Sequence, residues 1–347
     1  MLLSATQVRR SRGYTLVELM VSMTIGLVII VALVGIFANN SRARNEIDRA
    51  SQQTENGRYA LQLRADDLRN AGYDAELNTS TLTTPATKPN ACATDVATLN
   101  TALPVAVQGY DNGAGAPACI ADLRANTDIL VVRRASTCAV GDAGCDAQVA
   151  GEPYIQASTC SGAAELGSGN PLSYYALDTN VANLTMHLKD CVTVAPIHQY
   201  RTHIYFIAND DKAGDGIPTL KRAELGAGAF TIVPLVEGVE NLQIEYGIDT
   251  AAPTTGSPAV YTANPDTYLA CAPATCIGYW RNVVSVKLNI LARNPTVTPG
   301  YVDSKTYTLG LNAAGAANTV GPYNDGFRRH VYDIVVRLNN VSGRNSP

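Results

Sequence analysis

Residues 19–38 form an uncharged run that is apolar except for Ser22 and Thr24, and a chain that carries such a run has few structures open to it. At about 1.5 Å per residue, a helix over this run spans roughly the 30 Å hydrocarbon thickness of a bilayer. Three arginines lie within residues 9–12, Gly13 follows them, and Glu18 stands at the edge of the run. An acid at this depth disfavours insertion, so its presence indicates a functional role. We therefore predict one membrane-spanning helix with a functional acid at its start.

Two other N-terminal signals share some of these features. A secretory signal peptide has an apolar core of about 7 to 15 residues and then a small-residue cleavage site. In this chain the apolar run is longer and continues into a polar stretch that is compatible with a helix. A signal peptide is therefore disfavoured, whereas a plain signal anchor remains an alternative.

The residues around the acid form a recognisable motif. Residues 13–20 read Gly-Tyr-Thr-Leu-Val-Glu-Leu-Met, which resembles the class III leader of type IV pilins and type II secretion pseudopilins. The resemblance implies that a prepilin peptidase cleaves between Gly13 and Tyr14 and methylates the new amine of Tyr14. It also implies that residues 1–13 are a leader and that Glu18 is the assembly glutamate. Tyr14 stands where many members have Phe, a change that keeps an aromatic ring.

A second segment narrows the resemblance. Residues 53–63 and 66–73 are similar to the sequence that follows the membrane helix in PilW-type minor pilins. The resemblance implies a structural subunit of the tip complex that initiates a type IV pilus, and not an enzyme. The implied partners are other minor pilins, the major pilin, the inner-membrane assembly platform and a large tip adhesin. The alternatives are a J-type minor pseudopilin of a type II secretion system and a membrane-anchored adhesive or binding protein that never polymerises.

Helical periodicity continues beyond the apolar run. Small and apolar side chains recur at three- and four-residue steps over residues 47–71, and Gly72 follows as a stop signal. We predict one long helix over residues 14–72, with residues 14–38 in the membrane or in a filament core. The second half of this helix is expected to bury its stripe against a sheet.

The remainder of the chain, residues 73–347, is predicted to be a β-rich head. Residues 73–126 have no sustained period, which is typical of a long loop. Apolar and polar residues then alternate over 241–246, 284–290 and 332–338, as in antiparallel strands that bury one face. The predicted fold class is α+β: a long N-terminal helix packed on an antiparallel sheet with disulfide-stapled loops. The pilin resemblance implies the same architecture.

The cysteines indicate which side of the membrane the head occupies. Arginines flank the apolar run on both sides, so positive charge leaves its orientation open. An even number of cysteines after the run indicates disulfides in an oxidising compartment. We therefore predict that the head is periplasmic or extracellular. The pilin resemblance implies an inner-membrane chain with a cytoplasmic N-terminus and a periplasmic head, which moves to the pilus on the cell surface after assembly. Spacing allows two local bridges, 138 with 145 and 271 with 276, and leaves the other pairings open. The disulfide candidates are Cys92, Cys119, Cys138, Cys145, Cys160, Cys191, Cys271 and Cys276.

Signals for catalysis or nucleic-acid binding are absent from the sequence. It holds no nucleophile elbow, phosphate loop or dinucleotide motif at a strand–helix junction. Its 26 Lys and Arg residues against 30 Asp and Glu indicate no broad basic surface for nucleic acid. His198 and His203 lie five residues apart in a strand-like segment and are predicted to be surface or edge residues. No cofactor is expected, with calcium as the one alternative.

The calcium alternative concerns a polar segment, residues 209–218, between two strand-like segments. Asp and Gly are favoured in turns, so a hairpin loop is the preferred interpretation. The carboxylates of Asp210, Asp211 and Asp215 are also the hard oxygen ligands that calcium prefers. Their spacing departs from the twelve-residue EF-hand loop, and the terminal Glu of that loop is missing.

Overall fold

A long helix, α1 (Leu16–Arg69), begins the computed structural model, which describes residues 13–345. One window of α1 has a mean hydropathy of 2.8 and none of it is buried, so this helix is long and apolar enough to cross a membrane. The chain divides into two compact units, Met1–Ser51 and Gln52–Pro347. The apolar part of α1 therefore belongs to the first unit, and the part from Gln52 onward belongs to the second.

The second unit is built from β-strands and, among the described residues, three short α-helices: α2 (Val96–Ala102), α3 (Pro273–Arg281) and α4 (Asn339–Asn345). The pairings between its described strands are all antiparallel, as the alternating patterns predict. Helix α2 and the first strand lie in the segment that the sequence predicts to be a long loop. The strands are β1 (Val107–Tyr110), β2 (Ile129–Ala139), β3 (Tyr154–Ala157), β4 (Tyr175–Asp178), β5 (His198–Ala208), β6 (Thr219–Leu225), β7 (Phe230–Glu237), β8 (Val239–Ile248), β9 (Val260–Thr262), β10 (Val283–Arg293), β11 (Tyr307–Leu311), β12 (Ala317–Val320) and β13 (Arg329–Arg337).

These strands form three sheets in the part of the chain that the structure describes. The largest follows the order β1-β2-β5-β3-β4, and β6 pairs with both β5 and β7. The second has the order β13-β10-β8-β9, and β11 with β12 forms a separate hairpin. Strand β10 pairs with β13 over its length, from Ser285 opposite Arg337 to Arg293 opposite Arg329.

The last part of α1 packs into a core that draws on both large sheets. Ala60, Ala65 and Leu68 are at most 1% exposed and belong to the same buried cluster as Tyr205 of β5 and Val286 of β10. Ala60 and Ala65 take up little space between the helix and the strands, and Leu68 fills the core beside them. The predicted fold class is therefore confirmed: a long helix packs on antiparallel sheet in an α+β arrangement.

Strand β8 differs from the prediction of a strand with one exposed face. Its apolar side chains lie in the core, and its polar residues Gln243 and Glu245 are each only 3% exposed. The β11–β12 hairpin covers this polar face, and Asn318 Nδ2 donates a 2.8 Å hydrogen bond to Gln243 Oε1. Gly310, with φ of +71°, lets the hairpin approach, since a Cβ there would overlap the side chains of Glu245 and Asn289. Alternation within one strand cannot reveal a cover that comes from distant sequence.

Four disulfides hold the loops of the head. They join Cys92 to Cys119, Cys138 to Cys145, Cys160 to Cys191 and Cys271 to Cys276. The two local pairs are those that the spacing allows. Two of the eight cysteines lie outside loops, because Cys138 lies in β2 and Cys276 in α3.

Candidate processing and assembly site

The predicted cleavage position lies just before α1. Gly13, Tyr14 and Thr15 precede the first helical residue, and the side chain of Tyr14 is 87% exposed. No atom lies within 4 Å of the point where a Cβ of Gly13 would sit. Within the described residues, Gly13 and Tyr14 are both exposed. The basic leader segment, residues 9–12, lies outside the described residues.

Thr15 and Glu18 cap one another at the first turn of α1. The backbone N–H of Thr15 donates to Glu18 Oε2 at 3.0 Å, and the Thr15 hydroxyl donates to the same oxygen at 3.1 Å. In return, the N–H of Glu18 donates to Thr15 Oγ1 at 3.2 Å. This is a capping box, a pattern of Ser or Thr followed three residues later by Glu or Gln. This capping role of Glu18 was not predicted, although Thr-x-x-Glu before an apolar run is its sequence signal.

The helix surface that follows Glu18 is apolar and uncovered. Every large apolar side chain between Leu16 and Phe37 is at least 50% exposed. The polar side chains on this stretch bond to their own helix: Ser22 Oγ donates to the carbonyl of Glu18 at 2.7 Å, and Thr24 Oγ1 donates to that of Val21 at 2.8 Å. A helix with internally satisfied polar groups suits lipid or neighbouring apolar helices.

A buried polar cluster fastens the other end of α1 to the largest sheet. Asp67 accepts hydrogen bonds from Arg134 Nε at 2.6 Å and from the Tyr205 hydroxyl at 3.0 Å, and its Oδ2 lies 2.8 Å from His203 Nδ1. Burial alone would raise the pKa of Asp67, but His203 and Arg134 hold that pKa well below its usual range. The predicted surface position of His203 is therefore wrong. His198 is buried too, with Nδ1 2.9 Å from the carbonyl of Ser136.

The aspartate-rich loop has the hydrogen bonds of a turn. Asp210 accepts from the backbone N–H of Gly214 at 2.9 Å and of Gly216 at 2.8 Å. Asp215 accepts from Lys212 at 2.8 Å and from Ile217 at 2.9 Å, and these N–H groups lower the pKa of Asp215. Within the described residues, no group of three His, Cys, Asp or Glu side chains is placed to hold a metal ion. Calcium at Asp210, Asp211 and Asp215 stays an untested prediction.

Two known protein families match segments of this chain. Residues 8–34 match the family of the prokaryotic N-terminal methylation motif, and residues 204–340 match PilW, the type IV pilus-assembly protein W. The chain is therefore similar to PilW-type, type IV pilin-like proteins in two separate segments. The first match contains Gly13, Tyr14, Glu18 and most of the apolar run. The second falls in the head of the chain, where the residues alone had offered only a strand pattern.

Two further comparisons complete the picture. No curated protein matches the chain. Among solved structures, it is similar to a type IV-like pilin from Thermus thermophilus, with 13% sequence identity and a TM-score of 0.32. That similarity covers 86% of this chain and 98% of the Thermus chain. The similarity to PilW-type proteins rests on the two sequence matches.

Proposed function

We propose that this chain is a minor type IV pilin, a structural subunit of the tip complex that initiates pilus assembly. The observation that carries the proposal is the presence of two matches on one chain, the methylation motif over residues 8–34 and the PilW family over residues 204–340. The exposed apolar helix between them supports it, because such a surface needs lipid before assembly and neighbouring helices afterwards.

Maturation follows from the exposed segment before α1. The chain is made as a prepilin, and a prepilin peptidase cleaves between Gly13 and Tyr14 and methylates the new amine. This amine is a cation one helical turn from the carboxylate of Glu18. Pairing the two charges, within one chain or between neighbouring helices, reduces the free-energy cost of removing each from water. Glu18 thereby sets the position of the subunit among its neighbours.

Location and partners follow from the same arrangement. Before assembly the chain spans the inner membrane once, with its N-terminus in the cytoplasm and its disulfide-bonded head in the periplasm. Disulfides suit that oxidising compartment. After assembly the chain lies in the pilus. Its partners are the prepilin peptidase, other minor pilins, the major pilin, the assembly platform and a large tip adhesin.

Fractionation of cells tests the proposal against both alternatives. Surface pili are sheared off, and the pilus and membrane fractions are probed for the head of this chain. We expect the wild-type chain in the pilus fraction, and Gly13→Glu, which blocks cleavage, only in the membrane fraction. Wild-type chain restricted to the membrane fraction would favour an anchored protein that never polymerises. Cells without the chain that keep their pili but lose type II secretion would favour the J-type pseudopilin.

A further inference from the structure

A polar pocket of about 320 Å³ lies in the head, on the side of α3 and α4. Its lining includes Arg281 at the end of α3, Arg344 in α4, two asparagines and several Ser and Thr side chains. No acidic residue lines it among the described residues. A pocket of this size exceeds the volume of a bare ion and lies at the lower end of the range for small-molecule sites.

Arg281 is held in place without an opposing charge. Its Nη1 donates to Thr84 Oγ1 at 2.6 Å, and its Nη2 donates to the carbonyl of Ser80 at 2.6 Å. These partners are neutral, and no charge of a described acid acts on Arg281. Because a guanidinium carries five N–H donors, Arg281 retains donors for a ligand while these bonds fix its position.

Arg344 and its neighbour present donors that the protein itself does not use. Arg344 Nη1 and Asn345 Nδ2 are buried and have no hydrogen-bond partner among the described residues. Burial lowers the pKa of Arg344, the charge of Asp74 raises it, and the nearby charge of Arg281 lowers it. A bound anion would offset the repulsion between the two arginines that line the pocket.

One buried acid interacts electrostatically with Arg344 without lining the pocket. That acid is Asp74, which is 3% exposed and whose Oδ2 also lacks a hydrogen-bond partner. Burial raises the pKa of Asp74 to about 7, with Arg344 opposing the shift. Among the described residues, Asp74 is the acid whose charge acts on Arg344, and none acts on Arg281.

We propose that this pocket binds a small hydroxylated organic anion, whose carboxylate or phosphate group lies between Arg281 and Arg344. Guanidinium groups bind both oxyanions through paired, charge-assisted hydrogen bonds. The surrounding hydroxyl and amide groups, such as that of Thr84, suit the neutral hydroxyls of such a ligand. This inference is independent of the role proposed for the chain in the pilus.

Three sugars that share one ring test the charge requirement: glucose, glucuronate and glucose 6-phosphate. Each is titrated by calorimetry into the full chain in detergent at constant ionic strength. We expect saturable binding of glucuronate, glucose 6-phosphate or both, and none of glucose. The two charged sugars distinguish a carboxylate from a phosphate ligand. Binding of none of them at millimolar concentration, or of glucose as tightly as its charged relatives, would overturn the proposal.

Variants locate the binding. Arg344→Gln should weaken it by about tenfold or more, and Asn345→Ala should weaken it less. The control is Arg69→Gln, which removes an exposed arginine outside the pocket and should leave the affinity unchanged. Fluorescence of the single tryptophan, buried Trp280, reports whether each variant is folded. Unchanged affinity in a folded Arg344→Gln variant would overturn the proposal.

Discussion

The carboxylate of Asp67 and the imidazole of His203 meet in a buried hydrogen bond, with Oδ2 and Nδ1 2.8 Å apart. The two residues are 136 positions apart in the chain. Asp67 belongs to the last turn of α1 and His203 to β5, so the bond ties the helix to the largest sheet of the head. Both side chains are at most 7% exposed.

Replacing Asp67 tests the strength of this tie. Asp67→Asn should lower the free energy of unfolding by about 3 to 5 kcal/mol at pH 7, because it leaves Arg134 buried without its counter-charge. Unfolding by urea, followed through Trp280 fluorescence in detergent, measures the change. Asp66→Asn is the matched control, since Asp66 is 62% exposed in its pair with Arg69 and should change stability by less than about 1 kcal/mol.

The lowered pKa of Asp67 determines how its contribution to the free energy of unfolding changes with pH. Its contribution is fully present above its unfolded pKa of about 3.9 and is lost as pH falls toward the folded value. The stability difference between wild type and Asp67→Asn should therefore shrink below about pH 4. Equal effects of the two Asn variants at pH 7 would contradict the account.

Close packing at Gly57 gives a second prediction. A Cβ at this position would overlap the ring of Tyr332, 2.8 Å from its Cζ. Gly57→Ala should destabilise the chain by about 1 to 3 kcal/mol through overpacking, although Ala is normally the better helix former. Gly278→Ala is the helical control, because its new Cβ meets nothing within 4 Å. This variant should raise the free energy of unfolding by up to about 1 kcal/mol. Tyr332→Ala, combined with Gly57→Ala, should remove most of the overlap; stabilisation by Gly57→Ala alone would refute this packing.

A third prediction concerns calcium at the aspartate-rich loop, residues 209–218. Since the carboxylates of Asp210 and Asp215 already accept backbone N–H groups, we expect the melting temperature to stay constant across millimolar calcium. Ligand binding to the folded state would raise it by mass action. A rise that Asp215→Ala abolishes would establish calcium binding and displace the interpretation as a simple turn.

The predictions that the structure confirms rest on local sequence patterns. The features that were not predicted depend on contacts between residues far apart in the chain. The long helix and the strands of the head follow from periodicity, which any short window of sequence contains. By contrast, the cover over β8, the burial of His203 and the pocket beside Arg344 join residues that are far apart in sequence. The role of Glu18 in the capping box is also local, and the Thr-x-x-Glu pattern predicts it. The pilin resemblance implied a role for the charge of Glu18 and none for its hydrogen bonds.

A test of Glu18 must separate its proposed charge pairing with Tyr14 from its capping hydrogen bonds with Thr15. Glu18→Ala removes both the charge and the cap, whereas Glu18→Gln removes the charge and keeps an acceptor for the N–H of Thr15. If charge pairing with Tyr14 governs assembly, both variants should be cleaved and inserted normally yet co-purify poorly with the other minor pilins. Normal co-purification of Glu18→Gln would assign the effect to helix capping, and normal co-purification of both would remove the assembly role.

Mass spectrometry of this chain in sheared surface pili tests the central claim most directly, since it reports location and processing together. The account predicts that the chain is present in the pilus fraction and begins at Tyr14 with a methylated amine. A chain found only in the membrane fraction, with its leader intact from Met1 in cells whose prepilin peptidase is active, would contradict it.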